Sequence, residues 1–442
     1  MEKHKKVSFV SLGCPKNLVD SEVMLGILAR HDYEITADDS DAEVIIINTC
    51  GFIEDAKRES IDKIIELAGL KETGNCKLLV VAGCLPQRYQ EELTKELPEV
   101  DLWIGTGEHH KIVEHLEKEE KGSYLTQSEY IYDDLTPRLV STPKHTAYIK
   151  IAEGCSHTCT FCAIPGIRGK FRSRPINSII RETENLVSKG MKEAILIAQD
   201  TTSYGIDFKS GLGLPSLLRE MVKIKGLEWI RLLYTYPQFV TDELIDVIKN
   251  EEKVLKYLDI PIQHVSDRML KDMGRGITGD KLRNRLFSLR EAVPELIIRT
   301  SVIVGFPGET ETDFRELLNF IEEFEFDRLG AFTYSREAGT PASLLKRYIS
   351  EKVKKERYNR VMALQKIISR NKNKMHIGRV EKVLVDGISE ESEFLLSGRT
   401  TGQALDIDGI TYITSGTASA GDIVNVRITD ASDYDLVGEI VY

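Results

Sequence analysis

Three of the seven cysteines fall on one short loop, Cys155-Ser-His-Thr-Cys159-Thr-Phe-Cys162, with the spacing C-x3-C-x2-C. An odd cysteine total in a chain expected to be cytosolic argues against a disulfide framework, and three thiols this close cannot all serve structural disulfides. Soft thiolates suit zinc or an iron–sulfur cluster. Zinc wants a fourth donor. The near candidate is His157, between the first two cysteines, where the loop would have to fold back sharply to offer it. A cubane held by three cysteines keeps one iron open for a substrate or cofactor, and the spacing favours that reading over buried, inert thiols.

The other four cysteines separate by position. Val7–Leu12, Val44–Asn48 and Leu78–Gly83 are short β-branched runs, and amphipathic stretches lie between them at Asp20–His31 and Glu54–Leu70. Asp20 or Ser21 is expected to cap the first helix, with Val23, Met24, Ile27 and Leu28 on one face. Strands alternating with helices imply a parallel sheet, and open α/β sheets hold ligands at the carboxyl edge of their strands. Cys14, Cys50 and Cys84 each follow a strand closely, so they should converge at that edge. The alternative is three small buried residues at strand ends. Cys76 precedes its strand and is expected at the opposite edge, as a non-ligand.

Further along, Gln87–Leu97 and Glu108–Lys121 read as helices, Asp101–Gly105 as a strand and Gly122–Lys144 as a polar linker with a short extended piece. A second β/α series has strands at Ala147–Ala152, Ala194–Gln199, Trp229–Tyr234, Leu255–Ile260, Ile297–Val304 and Leu329–Tyr334. Its helices lie at Asn177–Lys189, Leu214–Ile224, Asp242–Asn250, Asp280–Ala292 and Glu311–Phe324. Six units are too few for an eight-fold barrel and fit a partial (β/α)6 barrel, with Cys155–Cys162 just after its first strand, at the end where barrels build sites. Glu351–Lys374 is a helix with nine Lys or Arg and two Glu. It is either a solvated connector or a surface for RNA or ribosome phosphates. Short strands with glycine turns follow and predict a small antiparallel β-barrel. The fold class is thus α/β, with expected domains at 1–121, 141–374 and 375–442. Composition is that of a globular chain, 41% hydrophobic and 29% charged. A net charge of −11 excludes a wholly basic nucleic-acid coat. The N-terminus lacks an apolar signal core, no run approaches membrane-spanning length, and a cytoplasmic setting with no membrane partner is expected.

Three cysteines in this spacing after the first strand of a partial barrel resemble the radical S-adenosylmethionine (SAM) superfamily. The whole chain, with its three-cysteine N-terminal domain and a last domain that looks like a TRAM domain, resembles the methylthiotransferases within it. That resemblance implies two [4Fe–4S] clusters, one held by Cys155, Cys159 and Cys162 and the other by Cys14, Cys50 and Cys84. The open iron of the first would chelate SAM. One-electron cleavage would then give a 5′-deoxyadenosyl radical that abstracts hydrogen, and the second cluster would carry the sulfur.

One branch of that family modifies adenosine in tRNA. The other modifies an aspartate of a small-subunit ribosomal protein. Ser11–Glu22, Ile197–Gly205, Tyr257–His264 and Phe332–Pro341 resemble the second branch. Residues 375–442 hold four Lys or Arg and twelve Asp or Glu. On independent grounds such an acidic domain suits a basic protein better than a nucleic acid. The expected activity is transfer of a methylthio group to the aspartate β-carbon, with the ribosomal protein and an electron-donor protein as partners. A tRNA substrate, or a non-catalytic iron–sulfur redox sensor on the ribosome, are the rival readings.

The superfamily's Gly-Gly-Glu stretch is replaced here by Ala198-Gln199-Asp200, so Gln199 is the candidate acceptor for the SAM amino group. Gly305, in Val302–Gly308, is the candidate close approach to the adenine, or else a tight turn before the helix at Glu311. Arg168–Arg174 is a basic run beside the first cluster, poised for SAM, cluster or substrate charge, or else solvated. His264 reads as a structural hydrogen-bond partner or a catalytic group. No general base is discernible from spacing.

Overall fold

The computed structural model describes residues 5–118 and 121–442. The expected N-terminal sheet is present and wholly parallel. Its spatial order is Glu34–Thr36, Lys6–Ser11, Val44–Thr49, Leu78–Gly83, Leu102–Ile104 and Gly122–Tyr124. Val44–Thr49 and Leu78–Gly83, at its centre, are largely apolar and almost wholly buried, as suits a sheet covered on both faces. The supposed linker therefore begins as the sixth strand. Its later part is a clasp: Arg138, nearly buried, pairs with Glu22 of the first helix and Glu182 of the central domain at 2.6 and 2.7 Å. Residues 119 and 120, at the end of the expected helix Glu108–Lys121, lie outside the described residues, as do residues 1–4. Within that stretch a 3-10 turn, His109–Lys111, leads into a short helix, Ile112–Leu116.

The first helix differs from expectation. It runs Pro15–Arg30, with Cys14 at the N-cap. Proline suits a first helical turn, since its missing N–H would have had no partner there. Asp20 is thus inside the helix, where its carboxylate serves Lys150 and Arg168 instead of a cap.

The central strands Thr146–Lys150, Glu193–Ile197, Trp229–Leu232, Val254–Asp259, Ile297–Val304 and Arg328–Thr333 lie side by side in chain order, all parallel. This is the open, six-unit barrel expected. Alternation along the strands divides their side chains between two faces. Ile149, Leu196, Ile230 and Leu258 pack on the outer helices through Leu217, Leu244, Leu286 and Phe314. Tyr148, Ile195, Ile197 and Tyr257 point inward. There they join Val19 and Val23 of the first helix and Ala404 and Leu405 of the C-terminal domain in one apolar cluster. All three domains share this core.

The C-terminal strands Val380–Ser389, Ser392–Thr400, Thr411–Ser415, Leu436–Ile440 and Ile423–Ala431 close a barrel in that order. One pairing departs from the expected antiparallel pattern: Thr411–Ser415 and Leu436–Ile440 run parallel, because the last strand turns back antiparallel along Ile423–Ala431 and enters between it and Thr411–Ser415. The barrel is mounted on the central domain through ions. Arg399 pairs with Glu193 at 2.5 Å and with Asp386 at 2.9 Å, and His145 meets Asp386 at 2.9 Å. Burial pushes the Asp386 carboxyl up, but His145 and Arg399 outweigh it and hold the group below its ordinary value. A carboxyl depressed in the folded state stabilises above its unfolded pKa, and this contribution is lost as pH falls through the folded value. The mount should therefore loosen below about pH 4. Limited proteolysis should then release a C-terminal fragment from the native chain faster below about pH 4 than at neutral pH, and Asp386→Asn should release it readily already at neutral pH; equal protection of the native chain at both pH values would count against the mount.

Candidate functional site

Two groups of three thiols lie near the contact of the N-terminal sheet with the central barrel, with Arg168 reaching from just after Cys162 to Cys84. Parallel pairing sets Ser11 beside Asn48 and Thr49 beside Gly83, so the residues just past three strand ends are neighbours. Cys14 caps the helix Pro15–Arg30, Cys50 follows its strand, and Cys84 opens the helix Cys84–Glu96. The approach is close. Gly13 has φ +92°, and a Cβ there would lie 2.7 Å from Cys50 Cβ. Glycine alone suits both the conformation and the space. Cys76 packs in the far apolar cluster with Ile45 and Leu79, away from these three.

The three thiols differ in acidity. Burial pushes Cys14 up, but Lys16, Arg168 and the N–H groups of Asn17 and Lys16 outweigh it and hold the thiol below its usual value. Burial pushes Cys50 up to about 12, and neighbouring Cys84 adds to this. Cys84 is also raised by burial, although Arg168 opposes the shift and donates to its sulfur at 3.4 Å. On the barrel loop, burial raises Cys155 to about 11 and Cys162 to about 12. Such thiols carry little charge by themselves at neutral pH. Coordination to iron would deprotonate them outright.

The barrel loop is held from several sides. Cys155 N–H donates to Gly169 and Thr160 N–H to the Met273 carbonyl, at 3.1 and 3.0 Å. Arg275 donates to Cys159 Sγ at 3.4 Å while lying over the Tyr236 ring. His157, the one near candidate for a fourth zinc donor, bonds Asp200 at 2.6 Å and stacks on Tyr236. With His157 so held, each site offers three sulfurs. That donor set suits a cubane with an open iron better than tetrahedral zinc.

Between the two thiol sites lies a buried ion network that the sequence did not reveal. Arg168, on the short helix just after Cys162, is 2% exposed. It donates to Asp20 at 2.7 Å, Glu153 at 3.2 Å, Asn17 at 3.2 Å and Cys84 Sγ. Lys150 completes the network by pairing with Asp20 and Glu153. Arg174 is equally buried, against Glu182. Arg168 and Arg174 are therefore not solvated, whereas Lys170 between them is exposed. The available signal was Lys150, a lone charge in an otherwise uncharged strand. A second clasp joins the same two domains. Glu337, in the stretch Phe332–Pro341, takes Arg88 at 2.8 Å and Lys57 at 3.4 Å from the N-terminal domain. Ala342 N–H then donates to the Thr160 carbonyl of the cysteine loop at 2.8 Å.

Gln199 sits at the carboxyl end of the second barrel strand. Its Nε2 donates to Glu153 at 2.9 Å, which fixes the amide's orientation because a carboxylate can only accept. Its Oε1 is then a buried acceptor with no partner among the described residues. Gly305 has φ +74°. Its N–H donates to Glu309 at 2.5 Å, and the Lys354 side chain fills the space where a Cβ would stand. His264 accepts two backbone N–H groups at Nδ1, at 2.9 and 3.0 Å, so its Nε2 carries the proton toward Glu309. It is a structural hydrogen-bond partner. Arg357 also meets Glu309, at 2.5 Å. In the helix Glu351–Lys374, Lys354, Arg357, Arg360, Lys366, Arg370 and Lys372 all have carboxylate partners, which leaves little of its charge for phosphates.

Comparison with known proteins defines the class. Residues 6–105 match uncharacterized protein family UPF0004, 149–321 the radical SAM superfamily and 377–441 the TRAM domain. The fold agrees with that class. A radical SAM methyltransferase, TsrM of Kitasatospora setae, superposes with a TM-score of 0.56 at 13% identity, covering 77% of each chain. A cobalamin-dependent SAM radical enzyme, OxsB, gives 0.52 at 14% identity, over 80% of this chain and 56% of that one. Full-length relatives narrow the class. The proteins named ribosomal protein uS12 methylthiotransferase RimO from Geobacter sulfurreducens and Acetivibrio thermocellus are 56% and 51% identical, each over 99% of this chain and 99% and 98% of their own. The chain belongs to the RimO family of radical SAM methylthiotransferases.

Proposed function

We propose that this chain adds a methylthio group to the β-carbon of an aspartate in ribosomal protein uS12. The observation that carries the proposal is the pair of three-thiol groups tied together by Arg168, on a chain so close to RimO proteins. Cys155, Cys159 and Cys162 are the proposed ligands of one [4Fe–4S] cluster, and Cys14, Cys50 and Cys84 those of a second. When bound, the clusters and SAM supply radical chemistry on one side and sulfur on the other. The chain's own residues hold and orient. Gln199 Oε1 is the proposed acceptor for the SAM amino group, while Gly305 serves its turn, with its N–H on Glu309 and the space of its absent Cβ filled by Lys354. Arg275 and Arg168 balance charge beside the two thiol sites. SAM cleavage takes one electron, so an electron-donor protein is a partner in this reading, and the proposed ribosomal substrate makes the cytoplasm its setting.

The acidic C-terminal barrel supports a basic protein substrate over a nucleic acid, as does the internal pairing of the basic helix. No helix among the described residues is long and apolar enough to cross a membrane. The test is mass spectrometry in a deletion strain. uS12 should lose a methylthio-bearing aspartate while methylthio-adenosine in tRNA is unchanged. Loss of the tRNA modification with intact uS12 would overturn the substrate assignment.

A further inference from the structure

One lysine beside the thiols has no carboxylate partner, and its nearest anionic group is the Cys14 thiol. Lys16, two residues past Cys14, is 8% exposed. Its ammonium lies 3.1 Å from the centre of the Tyr234 ring and makes no ion pair or hydrogen bond with any described residue. Three neighbouring cations do have carboxylates. Lys150 and Arg168 share Asp20 and Glu153, and Arg299 pairs with Asp259 at 2.8 Å. Burying an ammonium without a carboxylate is unfavourable, and an aromatic face recovers only part of what water supplied.

Tyr234 gives a second, independent observation. It stands just past the barrel strand Trp229–Leu232 with φ +60°, a conformation that a bulky side chain rarely adopts. Its N–H donates to Asp259 Oδ2 at 3.1 Å, which helps to hold it there. Local strain of this kind persists where surrounding structure enforces it, and it tends to mark sites that bind or react. Here it sets the ring as a floor beneath the ammonium, at the carboxyl end of the barrel and beside the first helix.

We propose that Lys16 binds the carboxylate of the substrate aspartate, as the positioning residue that selects an acidic side chain over a neutral one. The inference rests on the proposed methylthiolation. The β-carbon of an aspartate is two bonds from its carboxylate oxygens. In that reading it must be reached both from the Cys14, Cys50 and Cys84 side and from the Cys155, Cys159 and Cys162 side. Lys16 belongs to the first by sequence and meets the barrel through Tyr234. A carboxylate held there lies between the two.

The test uses anaerobically reconstituted full-length enzyme. A short fluorescent peptide spanning the modified uS12 residue is titrated with Asp at that position, then with Asn. Wild type should prefer Asp by about tenfold or more, as a charge-assisted hydrogen bond would give. Lys16→Met should bind both peptides equally and carry wild-type iron and sulfide. Lys16→Arg should keep part of the preference. Two results would overturn the assignment: Lys16→Met retaining the full preference for Asp, or losing iron in step with binding, which would make Lys16 a partner of the cysteine site. If wild type binds neither peptide while still modifying nothing in uS12, the substrate reading itself fails and Lys16 loses its assignment with it.

Discussion

The Cys155/Cys159/Cys162→Ala variant should retain about four of roughly eight irons per chain after anaerobic reconstitution, and should cleave no SAM. The Cys14/Cys50/Cys84→Ala variant should also retain about four irons. It should still cleave SAM to 5′-deoxyadenosine and methionine, and should yield no methylthiolated product. The two triads come from different elements. One is a single loop, and the other gathers three strand ends. Each triad's removal leaves the other's protein ligands in place. Iron and sulfide analysis with EPR reads the first half of the prediction, and product analysis the second. If the barrel-loop variant holds no iron, the strand-end cysteines are only structural and the chain carries one cluster.

Arg168→Met should lower stability by about 3–5 kcal/mol, read as a fall in the urea midpoint. The guanidinium is buried and serves four partners from both domains. Its loss leaves Asp20 and Glu153, two buried carboxylates, to share Lys150. A change of this size is a large fraction of an ordinary domain's stability of about 5–15 kcal/mol. Adding Asp20→Asn should recover part of the loss, because one of the uncompensated charges goes with it. Arg168→Lys should rescue poorly, since a single ammonium cannot span the fork of contacts that a planar guanidinium makes. A loss below about 1 kcal/mol, or strict additivity with Asp20→Asn, would show that the network does not hold the two domains together.

The sequence made some of this legible and concealed the rest for physical reasons. All six central strands announce themselves as apolar runs between amphipathic helices, and their chain-order pairing is what such alternation implies. The edge strands Glu34–Thr36 and Gly122–Tyr124 escaped because each is three residues long and largely exposed, so neither carries a burial pattern. Asp20 looked like a cap because capping is a local signal. Its real partner, Lys150, lies 130 positions away. Pro15 was the better marker of the helix start. The three strand-end cysteines could be grouped because parallel topology alone brings such positions to one edge. The network of Arg168, Glu153 and Lys150 could not, since a run of charges reads the same whether it is solvated or buried. The parallel pair in the last barrel depends on where the final strand returns, which no local pattern specifies. Gln199 was singled out by position, and its unpartnered oxygen agrees with a role as an acceptor.

The two triads also differ in when they can exist. Closing the loop from Cys155 to Cys162 takes little chain entropy, and a short segment can bring those thiols together early in folding. Cys14, Cys50 and Cys84 are neighbours only after three strands have paired over long sequence separations, which is the slow part of folding a parallel sheet. The sheet-edge triad thus exists only in a chain that has completed its N-terminal sheet, whereas the barrel-loop triad is set by one short segment.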